Sequence, residues 1–227
     1  MPISVNHSIF DRFAMVVGIY SVLEGKTLGG RYRVDRLLGK GGMGAVFSAT
    51  DLHLNRGIAV KVIALEPSTA EQATMLRARF RREAQIAAKL QHPNVITLHD
   101  HGTDEALGLD FIVMELLSGE DIQTRIRTKG PFVWRQAARI LYEAASGLGA
   151  AHRAGLIHRD VKSANLFLEY GPDGNRLRTL VLDFGIAQLK SDATSTVTHL
   201  TVSGQTPLSP PYASPEQLRG DRELTPA

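Results

Sequence analysis

The pattern of hydrophobic and polar positions changes its period near residue 118 of the chain. Before that point, apolar and polar residues alternate or form short β-branched runs that glycines interrupt, which is typical of strands. The pattern predicts a hairpin around a glycine-rich turn within 32–47, followed by strands at 57–65, 92–102 and 109–117. We therefore expect a five-stranded antiparallel sheet in the first half of the chain.

Two segments show helical spacing instead of alternation. Pro67 precedes Ser68 and Glu71, which form a capping box and predict a helix that runs to about Leu90. A second helix is predicted after residue 118, with one buried face made of apolar residues at helical spacing: Ala137, Ile140, Leu141, Ala144, Ala145 and Leu148. Short strands then flank a turn at 172–174. The order of elements predicts the α+β class, a sheet with one inserted helix followed by a mainly helical part.

Composition narrows the classes of protein. The 227 residues are 43% hydrophobic, which is enough to bury the core of one large domain or two small lobes. Lys and Arg outnumber Asp and Glu by only 26 to 23, so no nucleic acid is expected as a partner. The absence of cysteine excludes disulfides, thiolate metal sites and a cysteine nucleophile, and it fits the cytoplasm, which is the expected location.

Residues 1–28 are interpreted as an N-terminal extension with little order. They include an apolar stretch at 13–23, and its eleven residues are too few for a membrane-spanning helix, which needs about 20. Asp11 and the lack of a small-residue cleavage site also argue against an export signal. A helix that lies on a membrane surface or docks a partner is the alternative interpretation.

The sequence "GKGGMG" places glycines in a G-x-G-x-x-G pattern within a hairpin. Its residues are Gly39, Lys40, Gly41, Gly42, Met43 and Gly44. An ordinary glycine-rich turn and a dinucleotide-binding loop share this spacing, but the dinucleotide loop leads into a helix. Because strands are predicted on both sides here, the pattern favours a loop that folds over phosphates.

One predicted strand and two later segments contain charged residues that a purely structural role does not require. Lys61 stands within the apolar run "AVKV", where a lysine is costly without a partner, and Glu83 on the following helix is the expected counter-charge. The alternatives are a snorkelling lysine and a solvated glutamate. The loop "HRDVKSAN" concentrates an acid, bases and an amide, and Asp183 in "LDFG" is suited to metal binding.

At this point the chain resembles the eukaryotic-type bacterial serine/threonine protein kinases. The motifs "GKGGMGAVF", "AVK", "RREA", "HRDVKSAN", "DFG" and "SPE" follow the order of that family between about residues 29 and 220. The resemblance implies a bilobal fold, with an N-lobe at 29–117 and a partial C-lobe at 118–227. The partial C-lobe ends after the activation segment, which includes "SGQTPLSPPYASPEQ" at 203–217. It also implies transfer of the ATP γ-phosphoryl group to Ser or Thr hydroxyls of proteins, as part of signalling.

The resemblance implies ATP and Mg²⁺ as cofactors, with Mn²⁺ as an alternative metal. Asp160 is expected to orient the acceptor hydroxyl and take its proton, while Lys162 contacts the transferring phosphate. Asn165 and Asp183 are expected to bind the metal. Within this resemblance, Lys162 favours Ser and Thr acceptors over Tyr, and Arg159 together with Lys162 argues against a small-molecule phosphotransferase.

The same resemblance assigns the nucleotide site. Lys61, oriented by Glu83, would hold the α- and β-phosphates beneath the glycine loop. The adenine pocket and the backbone that binds the base would include Val46, Ala59, Met114, Glu115, Leu117 and Phe167.

Regulation by phosphorylation is expected because Arg159, beside Asp160, needs an anion. Thr201, Thr206 and Ser209 are the candidate phosphorylation sites, and Arg79 could reach the same phosphate. Self-association would then allow one copy to phosphorylate another.

Three features depart from the family pattern. Ser163 replaces the usual proline, the segment before "SPE" looks about three residues longer than usual, and the chain ends before the helix that supports the catalytic loop. Glu216 in "SPE" thereby lacks its later arginine partner. We therefore keep an alternative function, a catalytically impaired module that binds ATP or another protein.

Overall fold

The computed structural model describes residues 22–41, 44–63, 69–184 and 210–219. The apolar stretch at 13–23 therefore lies almost wholly outside the described residues. Within the part that is described, none of the helices is both long and apolar enough to cross a membrane.

The chain divides into two compact units. Of the described residues, the first unit contains 22–41, 44–63 and 102–116, and the second contains 69–101, 117–184 and 210–219.

The strands of the first unit belong to a six-stranded sheet in the order β1-β2-β3-β4-β6-β5, whose strand β5 begins in the second unit and ends in the first. The strands are β1 (Thr27–Leu28), β2 (Tyr32–Gly41), β3 (Gly44–Asp51), β4 (Arg56–Ile63), β5 (Leu98–Asp104) and β6 (Leu109–Met114). The pairs β1 and β2, β2 and β3, β3 and β4, and β4 and β6 are all antiparallel. The sheet thus has one strand more than the hydrophobic pattern predicts, because two residues in β1 are too few to show a period.

One face of this sheet is covered by an apolar core. Tyr32 and Val34 are buried in β2, while Arg33 between them and Asp35 after them are exposed, as alternation requires. The rest of the core comes from Leu23, Leu28, Ala45, Phe47, Ala49, Ile58, Val60, Val62, Phe111 and Val113. Since Leu23 and Leu28 belong to this core, residues 22–28 are part of the first unit, which corrects the assignment of 1–28 to an extension.

An ion pair joins β3 to the turn before β2. The Arg31 guanidinium donates to both oxygens of Asp51, at 2.9 and 2.7 Å. The bond from Arg31 is the largest cause that lowers the pKa of Asp51 to about 2. Asp51 also accepts from the backbone N–H groups of His53 and Leu54, so this carboxylate fixes the turn between β3 and β4.

The second unit combines helices with a small sheet of order β7-β8-β9. The strands are β7 (Gly119–Asp121), β8 (Leu166–Tyr170) and β9 (Arg176–Val181), and the helices are α1 (Ala70–Ala88), α2 (Ile122–Lys129), α3 (Trp134–Arg153) and α4 (Pro215–Arg219). The predicted segment at 92–102 becomes a strand only from Leu98 onward. Before it, Val95 makes a single parallel bridge with Val181.

The helix α3 buries a stripe of small and apolar side chains in the second unit. Ile140, Ala144, Gly147 and Ala151 are buried at helical spacing. Leu141, which the sequence placed on this face, is instead 64% exposed, since it lies about 100° around the helix from Ile140. Ala145 is exposed for the same reason.

Polar contacts tie α3 to β9. Glu143 accepts hydrogen bonds from Arg176 at 2.7 Å, from Arg139 at 3.0 Å and from the backbone N–H of Thr179 at 2.8 Å. Burial alone would raise the pKa of Glu143, but these donors outweigh it and lower the pKa from 4.5 to about 2. The charged carboxylate therefore stabilises the folded position of β9.

Candidate active site

The glycine loop connects β2 and β3 in the first unit. Gly39 pairs with Val46 and Gly41 with Gly44, so the loop is the tip of a hairpin as predicted. Gly44 has φ 132°, and a Cβ at this position would collide with the carbonyl oxygen of Val62, so only glycine fits. Gly39, Lys40 and Gly41 are exposed, whereas Gly42 and Met43 lie outside the described residues.

Four of the residues assigned to the nucleotide share one face of the sheet. Val46 lies opposite Lys61 across β3 and β4, and Ala59 lies opposite Met114 across β4 and β6. Directly paired residues point to the same side of a sheet, and Ala59 and Lys61 are two positions apart on β4. None of the four belongs to the apolar core of the first unit, whose β3 and β4 members occupy the alternate positions.

Lys61 itself is only 4% exposed. A buried lysine is uncommon unless it is paired or holds an anion. A purely structural strand would not require a buried lysine in the middle of a sheet face, so the position of Lys61 indicates a functional role. Glu115 also lies in the first unit and is half-buried. Glu83, Leu117 and Phe167 are half-buried and lie in the second unit, Glu83 on α1 and Phe167 on β8.

His158 anchors the loop of residues 158–165, named the catalytic loop here for its predicted role, to the chain before Asp183. It is 1% exposed, and its Nε2 donates to the carbonyl oxygen of Leu182 at 2.7 Å, because a carbonyl can only accept. Its Nδ1 accepts from the backbone N–H of Asp160 at 3.2 Å. Burial lowers the pKa of His158, although the Leu182 carbonyl and two nearby carboxylates act in the opposite direction. The ring is thus held neutral in one tautomer, and its centroid lies 4.9 Å from that of the Phe184 ring, which is tilted by 60° against it.

The carboxylate of Asp160 is held by its neighbours in the loop. Lys162 Nζ lies 2.6 Å from Asp160 Oδ2, and Asn165 Nδ2 donates to the same oxygen at 3.1 Å. Asn165 Nδ2 also donates to the Asp160 carbonyl at 2.8 Å. The Asp160 side chain is 16% exposed, so these bonds restrict it without removing it from solvent.

The donor set beside Asp160 fits a hard divalent cation. Because Asn165 Nδ2 donates to Asp160, its amide oxygen is the atom left to bind a cation. The Leu182 backbone N–H donates to the Asn165 carbonyl at 2.9 Å, which brings the residue before Asp183 next to Asn165. An amide oxygen and a carboxylate are ligands that Mg²⁺ prefers.

The backbone is strained at two of these positions. Arg159 has φ 63° and Asp183 has φ 59°, both in the left-handed region that non-glycine residues rarely adopt. Such conformations cost about 1–3 kcal/mol each and cluster at functional sites. Their occurrence directly beside and within the candidate catalytic residues supports a functional rather than a structural loop.

Several predicted regulatory residues cannot be placed. Thr201, Thr206 and Ser209 lie outside the described residues. Arg79 lies on α1, but its side chain is also outside the described part. Arg159 is half-buried in the catalytic loop.

Two side chains that the sequence analysis did not assign contact the catalytic loop. Gln217 Nε2 donates to the carbonyl oxygen of Arg159 at 2.5 Å, and the Tyr212 hydroxyl shares a hydrogen bond of 3.1 Å with Ser163 Oγ. The S-x-x-Q pattern of 214–217 is a capping box and could have drawn attention to Gln217. No sequence pattern indicates its long-range contact.

Comparison with known proteins identifies the class of this chain. The model of the protein kinase domain family matches residues 32–227, so the chain belongs to that family. It is 41% identical over 192 residues to a probable serine/threonine-protein kinase of Corynebacterium efficiens, covering 84% of this chain and 27% of the relative. It is 40% identical to the serine/threonine-protein kinases pkn3 of Myxococcus xanthus, covering 87% of this chain and 35% of the relative, and PknB of Mycobacterium leprae, covering 86% and 30%.

Solved structures agree with this assignment. The crystal structure of the Mycobacterium tuberculosis PknI kinase domain superposes with a TM-score of 0.61 at 32% identity, covering 72% of this chain and 61% of that one. The chain therefore spans less than two thirds of the kinase domain it resembles and 27% to 35% of the curated relatives named above. The predicted family and the predicted α+β kinase fold are confirmed.

Proposed function

We propose that this chain is the catalytic part of a serine/threonine protein kinase, which transfers the γ-phosphoryl group of ATP to Ser or Thr hydroxyls of proteins. The observation that carries the proposal is the geometry around Asp160. Its carboxylate is oriented by Lys162 and Asn165, while its backbone N–H is held by His158. Membership of the family implies the use of ATP and a divalent metal ion.

The nucleotide is assigned to the sheet face that carries Lys61. Lys61 would hold the α- and β-phosphates, with Glu83 orienting it, and the exposed backbone of the glycine loop would cover the phosphates. Because Ala59 carries only a methyl group, a flat base is proposed to lie against it, next to Val46 and Met114. Glu115, Leu117 and Phe167 are proposed to complete the adenine site.

The metal is proposed to be Mg²⁺, with Mn²⁺ as the alternative, held by Asn165 and Asp183. When bound, such a cation offsets the negative charge of the phosphates during transfer. Asp160 would orient the acceptor hydroxyl and take its proton, and Lys162 would offset charge on the transferring group. These residues act mainly by position and charge, which is how phosphoryl transfer is accelerated.

Control of the activity is proposed to run through Arg159. A phosphate on Thr201, Thr206 or Ser209 would supply the anion that its guanidinium binds, with Arg79 as a second ligand. Transfer between two copies of the chain would place that phosphate, which implies transient self-association. The cysteine-free composition supports a cytoplasmic location, and the small charge excess gives no reason to expect nucleic acid as a partner.

The test is phosphate transfer from γ-labelled ATP to a generic acceptor protein, with Asp160→Asn as the matched control. We expect incorporation by the unsubstituted chain and none above background for the variant. Thermal unfolding with and without Mg²⁺-ATP is measured in parallel. A rise in melting temperature without transfer would favour the impaired ATP-binding module over the kinase, and the absence of both would reject both functions.

A further inference from the structure

Residues 210–219 contact the catalytic loop at two points that the kinase resemblance does not assign. The first is the hydrogen bond from Gln217 Nε2 to the Arg159 carbonyl oxygen, and the second joins the hydroxyls of Tyr212 and Ser163. The Gln217 bond crosses 58 positions of sequence and is partly buried. Both contacts lie within the second unit.

The orientation of the Gln217 amide follows from its partners. Its Oε1 accepts from the backbone N–H of Ser214 at 3.0 Å, and Ser214 Oγ in turn accepts from the backbone N–H of Gln217 at 3.3 Å. This is a reciprocal capping box at the start of α4. Because a backbone N–H can only donate and the Arg159 carbonyl can only accept, the oxygen must face Ser214 and the NH₂ must face Arg159.

The bond to Arg159 acts on the peptide group directly before Asp160. This peptide group is planar, so its carbonyl oxygen and its N–H turn together. Gln217 holds the oxygen end, at Arg159, and His158 Nδ1 holds the N–H end, at Asp160. Arg159 also has φ 63°, a conformation that persists only where the surroundings enforce it. The two bonds together fix the plane from which the Asp160 side chain projects.

Ser163 provides the second contact at the other side of Asp160. It stands where the family usually has proline, and its hydroxyl bonds to Tyr212 across 49 positions. The catalytic loop is therefore held by residues 210–219 both before and after Asp160.

We propose that Gln217 is a positioning residue that orients Asp160 through the Arg159–Asp160 peptide group, in addition to capping α4. The proposal rests on the proposed kinase function. It separates two tasks of one side chain: the oxygen serves the local cap, and the NH₂ serves the catalytic loop. A substitution that removes only the donor should therefore change the reaction without loosening α4.

Gln217→Glu makes that separation. A glutamate keeps the oxygen that accepts from Ser214, since capping boxes use Glu as readily as Gln, but it cannot donate to the Arg159 carbonyl. Ser214→Ala is the reciprocal variant, because it weakens the cap while the Gln217 donor remains. Gln123→Glu, an exposed position on α2, is the matched control for the change in charge.

Steady-state kinetics of phosphate transfer, at varied ATP and at varied acceptor protein, test the proposal. For Gln217→Glu we expect kcat to fall about tenfold with the KM for ATP unchanged, the size expected for a lost hydrogen bond that leaves its acceptor unsatisfied. Gln123→Glu should leave kcat unchanged. Ser214→Ala should lower the melting temperature while its kcat stays close to that of the unsubstituted chain. An unchanged kcat in Gln217→Glu would overturn the positioning role. The role would also be overturned if kcat fell in proportion to the loss of melting temperature in both Gln217→Glu and Ser214→Ala.

Hydrogen exchange of the peptides that cover the catalytic loop separates this proposal from the proposed kinase function. If the unsubstituted chain transfers no phosphate, the kinase function is rejected. The hydrogen bond from Gln217 to the Arg159 carbonyl still predicts faster exchange around Arg159 and Asp160 in Gln217→Glu than in Gln123→Glu. Equal exchange in these two variants would show that this hydrogen bond does not hold the loop around Asp160, and would overturn the proposal.

Discussion

A close backbone approach inside a helix of the second unit predicts that a glycine-to-alanine change, which usually stabilises a helix, destabilises this one. Gly147 lies inside α3 and is buried, and a Cβ built on it would collide with the carbonyl oxygen of Asn94. It would also stand 3.1 Å from the Asn94 carbonyl carbon and 3.3 Å from the Asn94 Cβ. Because the obstacle is mostly backbone, the neighbour cannot rotate away. We therefore expect Gly147→Ala to destabilise the protein.

The magnitude follows from opposing contributions. Replacing glycine by alanine inside a helix normally stabilises by about 1 kcal/mol. Here the added methyl group overpacks the contact at a cost of about 1–3 kcal/mol. It also pushes on an oxygen that accepts from the Val181 N–H at 2.9 Å, and weakening that bond costs about 1 kcal/mol. The net expectation is a loss of about 1–3 kcal/mol of unfolding free energy.

Gly149 provides the matched control on the same helix. A Cβ there would meet only Arg153 Nη1, at 3.5 Å, an ordinary contact with a flexible side chain. Gly149→Ala should therefore stabilise by about 0.5–1 kcal/mol. Urea unfolding followed by far-ultraviolet circular dichroism and by the fluorescence of Trp134, the single tryptophan and the first residue of α3, measures both variants. If Gly147→Ala were as stable as Gly149→Ala, the close approach of α3 to Asn94 would be refuted.

Two further predictions concern charged groups. The pKa of Glu143 is lowered to about 2, so its contribution to stability is present above pH 4.5 and is lost as the pH falls towards 2. Glu143→Gln should be less stable than the unsubstituted chain by about 1–2 kcal/mol at pH 7, with solvent screening allowed for, and this difference should shrink from pH 4.5 to pH 2 and vanish only below pH 2. Urea unfolding across this range checks it, and a constant difference would contradict the assignment. Asp183→Asn should lose most of the rise in melting temperature that Mg²⁺-ATP produces, whereas Asp160→Asn should keep it, because Asp183, unlike Asp160, is assigned to the metal. Equal shifts in the two variants would count against that division.

The parts of the site that the sequence predicts are those where a residue type conflicts with its surroundings. Lys61 stood out because a charge interrupts an apolar strand, and the structure places it in the middle of a sheet face at 4% exposure. Asp160, Lys162 and Asn165 stood out because polar groups crowd one loop, and the structure joins them by hydrogen bonds. Their assigned roles in catalysis remain predictions.

Other features of the fold and the site cannot be recognised from the hydrophobic pattern of the sequence. β1 has two residues, fewer than one period of alternation needs to be recognised. Leu141 is apolar and spaced like its buried neighbours, but it lies on a side of α3 that is exposed. The bond from Gln217 to Arg159 joins residues 58 positions apart through one amide, so neither periodicity nor local propensity can indicate it.

Phosphoamino-acid analysis of an acceptor protein tests the central claim most directly. The acceptor is incubated with γ-labelled ATP, Mg²⁺ and either the unsubstituted chain or Asp160→Asn, and the labelled residues are identified. The account predicts label on serine and threonine with the unsubstituted chain and none with the variant. Equal label from both proteins, or label confined to other residues, would contradict it.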